Sequence, residues 1–165
     1  CIRLKMPGQT ILDLSSKALG PAGIIILVTG AGGVLKQILV DSGIGVILAE
    51  SIAGSSIPVV FLAWALSALV RVTQGSATVA MITAAGIISP VLPILNLSQP
   101  DMAIIVVAIA SGATILSHVN DSGFWIVNKY LGMNEKQTLQ SWTVMETIIS
   151  VTGLLLSLLL SSLVK

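Results

Sequence analysis

Long stretches of this chain carry no formal charge. Val72 to Pro100 is the longest; Ala18 to Leu35, Ser51 to Val70, Met102 to Leu116 and Thr147 to Val164 are others. A membrane-spanning helix needs about 20 predominantly apolar residues, with a range of roughly 17–25. Several of these runs meet or approach that length. Hydrophobic residues make up 55% of the chain and charged ones 9%, against about 25% charged in ordinary soluble domains. A water-soluble chain of this size cannot hide so much apolar surface. The sequence therefore predicts an all-α polytopic membrane protein in contact with a lipid bilayer. The runs lack the alternation of apolar and polar residues that β-barrel strands show in segments of about 10. The net charge of +1 includes no basic cluster, so nothing points to nucleic acid. One cysteine offers no disulfide or metal cluster.

The chain opens at Cys1 with no charged leader and cleavage site, and we read this start as a cut through a longer protein. Residues 1–19 carry Arg3, Lys5 and Lys17 against Asp13, with Ile11, Leu12, Leu14 and Leu19 at roughly helical spacing. That pattern predicts an amphipathic segment at the cytoplasmic membrane surface or a plain linker. Residues 21–40 are the first expected span, with Pro21 at its start. Inside it, Gly30, Gly32 and Gly33 precede Lys36. Small residues in a membrane helix usually mean close packing, although this cluster also suits a locally unwound stretch. It matches neither the dinucleotide fingerprint nor the P-loop, and no cofactor or metal is expected. Asp41 to Ser55 reads as an exposed turn and short helix. The last span is expected over residues 142–164, anchored by Trp142.

Two polar interruptions stand out. "RVTQGSATVA" divides two apolar arms too short to be comfortable spans, placing Arg71, Thr73, Gln74, Gly75, Ser76 and Thr78 between them. An ordinary loop would put these residues in water. A re-entrant hairpin over residues 57–90 would put them inside the membrane, where irregular backbone survives only against protein or a water-filled cavity. The arm lengths favour the hairpin. The second interruption, "SHVNDSGF", follows a run of about 15 apolar residues and holds the sole histidine. Met102 to Leu116 then reads as a helix ending in this motif, and "FWIVNKYLGM" after it is apolar and aromatic but too short to span. Ionisable groups in membrane segments usually face a cavity, a partner or an ion path. His118 and Asp121, three apart, would share a helix face or meet in an unwound segment. Such a pair can take up and release a proton near neutral pH. A helix end in water is the other reading of the same residues. Arg71 suits a substrate carboxylate, or it snorkels to the interface. The two lysine-bearing segments, around Lys17 and around Lys129 and Lys136, fall on one side of the membrane, by the positive-inside rule the cytoplasmic one.

Three segments together resemble the gluconate permease (GntP-type) family of proton symporters: "TGAGGVLKQILVDSGIG", "RVTQGSATVAMITAAGIISP" and "SHVNDSGFWIVNKYLGM". The ending "QSWTVMETIISVTGLLLSLLL" is similar to that family's last span. The resemblance runs in order along nearly the whole chain. It implies the C-terminal part of a multi-pass permease of the bacterial inner membrane, an ion-transporter-superfamily-like repeat whose re-entrant hairpin (residues 57–90) and broken helix (residues 101–130, unwound at Ser117 to Gly123) meet near the membrane centre. It implies partnership with the N-terminal half of the same permease and leaves room for a homo-oligomer. The implied activity is import of gluconate or a related sugar acid with protons, D-serine or another small hydroxy acid being the alternative. The expected substrate contacts are Arg71, Thr73, Gln74, Gly75, Ser76, Thr78, Ser117, Asn120, Ser122, Gly32 and Gly33. The expected proton-coupling residues are Asp121 and His118. An intramembrane hydrolase is disfavoured by the lack of a nucleophile elbow or a zinc-binding histidine pair, and no enzymatic activity is expected. A scaffold whose polar breaks only pack helices remains a third reading.

Overall fold

A computed structural model describes residues 7–42 and 57–164. Residues 1–6 of the expected surface segment, and residues 43–55 of the expected acidic turn, lie outside the described residues. Among the described residues the chain is helical, with no strand.

Helix α1 runs unbroken over Gly8–Asp41. The expected surface segment and first span are therefore one helix, and Gly32 and Gly33 are helical within it. It continues through Pro21, forgoing the bond a proline nitrogen cannot donate to the carbonyl four residues back. Helix α2 is Val59–Gln74 and α3 is Ala77–Ile88. At 1.5 Å per residue they are about 24 and 18 Å long, both short of the ~30 Å hydrocarbon layer. Val60 and Ala63 of α2 nonetheless share one buried cluster with Ala84 and Ile88 of α3. On a continuous helix Val60 and Ile88 would stand about 40 Å apart. The pair therefore folds back on itself at Gly75–Ser76.

Helix α4, Gln99–Gly112, supplies Ile104, Ile105, Ala108 and Ile109 to that cluster. It starts at a capping box: Ser98 Oγ accepts from the Asp101 amide, and the Asp101 carboxylate accepts from the Ser98 amide. Small residues let these helices approach. Ala63, Ala84 and Ala108 are fully buried, and a side chain at Gly112 would meet the Trp64 carbonyl. After Gly112 the chain turns through Ala113 to Leu116 and stays non-helical to Asp121. Leu116 adopts φ +47°, a left-handed conformation that a leucine holds only when its surroundings impose it. Helix α5, Ser122–Tyr130, follows. The non-helical segment thus begins before Ser117 and ends before Ser122.

Helix α6 spans Glu135–Leu163 and contains a π turn at Leu139–Thr143. Among the described residues it is the helix long and apolar enough to cross a membrane. Ile148, Ile149, Leu155, Leu156, Leu159, Leu160 and Leu163 stand uncovered along it. Its other face packs on α2 and α4. Gly153 lies tightly against α4, since a Cβ there would collide with the Ser111 side chain.

Candidate functional site

The two polar interruptions meet. Gly75 closes α2 in a left-handed conformation (φ +77°), and its amide donates to the Arg71 carbonyl at 2.8 Å. Ser76 then caps α3, its hydroxyl accepting from the Val79 amide at 3.3 Å. A Cβ on Gly75 would run into the backbone carbonyl of Asn120, so the turn lies directly against the α4–α5 segment. Asn120 returns a bond from Nδ2 to the Val72 carbonyl at 3.3 Å. Only glycine combines this backbone conformation with this approach.

Arg71 and Asp121 join the two breaks chemically. Arg71 Nη2 donates to Asp121 Oδ2 at 2.5 Å, with Arg71 3% and Asp121 8% exposed. Nη1 of the same guanidinium donates to the Gly75 carbonyl. Asp121 is also the N-cap of α5: its Oδ1 accepts from the Gly123 amide at 3.0 Å, while Oδ2 takes the Ser117 hydroxyl at 2.5 Å. A guanidinium, two N-terminal helix ends (α3 and α5) and a buried carboxylate therefore converge. The helix ends add partial positive charge, and the acid balances the arginine.

Ser117 connects this cluster to α6. Its hydroxyl accepts from Trp142 Nε1 at 2.8 Å, and its carbonyl accepts from the Thr143 hydroxyl. Both donors lie in or at the end of the π turn, a local widening of the helix that often marks functional positions. A second tie lies two turns further along α6, where Trp64 Nε1 donates to Ser150 Oγ at 3.1 Å.

Of the residues singled out from the sequence, Arg71, Gly75, Ser76, Ser117, Asn120 and Asp121 come together here. Ser122 is the first residue of α5 and exposed. Arg71, Thr73 and Gln74 belong to the last turn of α2 rather than to a loop, so the hinge is only Gly75–Ser76. Thr73, Gln74 and Thr78 are exposed, and the Thr73 hydroxyl bonds back to the Leu69 and Val70 carbonyls. His118 does not pair with Asp121. Its Nδ1 lies 2.8 Å from the Leu116 carbonyl, a donor position. Gly32 and Gly33 lie in α1. Thr143 and Glu146 were not singled out in the sequence, and Trp142 only as an interface anchor, although an acid within an apolar span is itself a signal.

Two helix breaks, one between α2 and α3 and one between α4 and α5, thus meet at a buried ion pair beside a long apolar helix, an all-helical arrangement that suits a membrane transporter. Residues 1–164 match the family described as GntP family permease, and the chain belongs to it. It is 46% identical over 158 residues, 96% of its length, to the low-affinity gluconate transporter of Escherichia coli K12. It is 41% identical over 160 residues (97%) to the gluconate permease of Bacillus subtilis 168. The Gnt-II system L-idonate transporter of E. coli K12 is 42% identical over 147 residues, 89% of this chain. These alignments cover 35%, 35% and 33% of the respective relatives, so the chain spans about a third of their length. No solved structure matches the chain.

Proposed function

We propose that this chain is the C-terminal repeat of a proton-coupled permease that imports gluconate or a related sugar acid across the bacterial inner membrane. α2 and α3 form the re-entrant hairpin and α4 to α5 the broken helix; α1 and α6 are spans. The observation that carries this reading is the buried Arg71–Asp121 pair joining two helix breaks. Three features support its use for an anion. Arginine's planar fork matches a carboxylate. Half-helix N-termini inside a membrane favour anionic groups. The named relatives carry gluconate and L-idonate, both polyhydroxy carboxylates. Ser76, Thr78, Asn120 and Ser122 stand beside the breaks as hydroxyl and amide partners for the substrate's hydroxyls.

Asp121 is the resting counter-ion of Arg71. The incoming carboxylate takes over part of the guanidinium, and a proton entering with it keeps the site from accumulating negative charge. Movement of this repeat against the N-terminal half then exposes the site to the other side. The test is uptake of labelled gluconate by the full-length permease in cells lacking other permeases, with and without a proton uncoupler. Saturable uptake abolished by the uncoupler and by Arg71→Gln is expected. Uptake of D-serine in place of gluconate would replace the substrate, and uptake indifferent to the uncoupler would remove the proton.

A further inference from the structure

One ionisable side chain near the site has no role in the mechanism above. Glu146 lies just past the π turn of α6, and no charged residue follows it before Lys165. Contacts on either side fix where its helix face points. Trp142 and Thr143, four and three residues earlier, both bond Ser117. Ser150, four residues later, accepts from Trp64 of α2. Helical positions three and four apart share a face, so Glu146 lies between the Ser117 tie and the Trp64 tie. Ser117 holds Asp121, and Trp64 lies two turns before Arg71 on α2. Glu146 is accordingly half-buried and within electrostatic reach of both members of the ion pair.

The hydrogen bonds divide the two acids sharply. Asp121 accepts from Arg71, Ser117 and Gly123, so its oxygens are engaged. Glu146 has no hydrogen bond or ion pair among the described residues. Arg71 keeps one buried donor, Nε, without a partner. Among the described residues the other titratable group of the α4–α5 segment is His118, whose Nδ1 is held at the Leu116 carbonyl, 2.8 Å away, and not at either acid. The charged residue of α4, Asp101, is tied to Ser98 at the far end of that helix. Lys129 of α5, and Glu135 and Lys136 at the start of α6, are exposed.

We propose that Glu146 is the residue that binds the transported proton, Asp121 remaining the counter-ion of Arg71. This rests on the symporter reading above. With Glu146 ionised, a substrate anion would join two carboxylates around one guanidinium. An O–H bond formed on the Glu146 carboxylate, with a proton from water on the outer side, removes one of those charges and admits the substrate. Loss of that proton to water on the inner side restores the charge and expels the substrate. No other bond changes.

The experiment uses the full-length permease in proteoliposomes, with Glu146→Gln and Glu146→Asp beside the wild type. Two readouts are compared: gluconate accumulation driven by an imposed proton gradient, and gluconate–gluconate counterflow, which needs no net proton movement. Glu146→Gln is expected to lose accumulation down to the level of protein-free vesicles and to keep counterflow. Glu146→Asp is expected to keep both, with a displaced pH profile for accumulation. Accumulation retained by Glu146→Gln would overturn the assignment, as would loss of both activities in parallel, the mark of a merely structural residue. If Glu146→Gln does not reconstitute, the aspartate variant decides: an unmoved pH profile overturns the proposal. A wild type that exchanges gluconate but ignores the proton gradient would instead overturn the symporter reading itself.

Discussion

The two breaks solve the same problem by different means. Between α2 and α3 the chain reverses at two residues, and one glycine in a left-handed conformation does the work. Between α4 and α5 it leaves the helix at Ala113 and does not resume until Ser122, holding Leu116 in a left-handed conformation on the way. The short break relies on the absence of a side chain. The long one relies on side chains: Ser117 and Asp121 are held by Arg71, Trp142 and Thr143 from two other helices. A two-residue turn has few freedoms to constrain. A nine-residue break in an apolar setting must satisfy its backbone groups explicitly, because an unpaired polar group there costs several kcal/mol. The short break is therefore sensitive to bulk and the long one to polarity.

The largest test of that contrast is the ion pair on which the long break depends. Asp121→Asn or Arg71→Gln leaves a buried, uncompensated charge, and removal of one partner costs about 3–5 kcal/mol. Both variants are expected to unfold at clearly lower temperature in detergent and to lose gluconate uptake. The double variant Arg71→Met with Asp121→Leu is expected to recover most of the stability, since apolar replacement of a whole buried pair is often neutral, but none of the uptake. Recovery of uptake would mean the pair only packs helices.

Gly75→Ala probes the short break. A left-handed alanine costs about 1–2 kcal/mol, and overpacking against the Asn120 carbonyl adds about 1–3 kcal/mol. Thermal unfolding should register the loss, with uptake falling because the breaks are pushed apart. An unchanged unfolding temperature would show that the turn is not held against Asn120.

Next comes the tie to α6. Thr143→Val leaves the Ser117 carbonyl without its donor, at a cost of about 1–3 kcal/mol. Trp142→Phe removes one neutral hydrogen bond, worth about 1 kcal/mol. A threonine loss no larger than the tryptophan loss would argue that the π turn does not serve the break. Smallest in stability is Thr78→Ala, an exposed position where changes stay within about 0.5 kcal/mol. If its hydroxyl contacts substrate, one lost neutral hydrogen bond of about 0.5–1.5 kcal/mol raises KM about 2- to 10-fold. Uptake assays at varied gluconate concentration measure this directly.

Much of this organisation is legible in the chain itself. The uncharged runs announce helices in an apolar setting, and a cluster such as "RVTQGSATVA" between short arms marks a break. Arg71 and Asp121 stand out because each is an isolated charge beside apolar residues. Their pairing does not stand out, because they lie 50 positions apart and only folding back at Gly75 brings them together. His118 drew the eye as the sole histidine three residues before an acid, yet its ring is held at the Leu116 carbonyl while the Asp121 oxygens take Arg71, Ser117 and Gly123. Pro21 suggested a helix start because a proline separates the helical spacing of Ile11 to Leu19 from the apolar run after it, and nothing local shows that α1 continues through both. The role of Trp142 was hidden too, since an aromatic at the head of a span reads as an interface anchor until Ser117 is seen beneath it.

The central claim is that the meeting of the two breaks is where the substrate sits. It is tested most directly by placing a single cysteine at Ser76 in an otherwise cysteine-free full-length permease, and measuring its modification by a water-soluble thiol reagent with and without gluconate. The account predicts slower modification as gluconate rises, half-protected near the KM for uptake, and no protection by a neutral sugar alcohol of the same length. A reaction rate indifferent to gluconate, in a variant that still transports it, would contradict the account and place the substrate elsewhere.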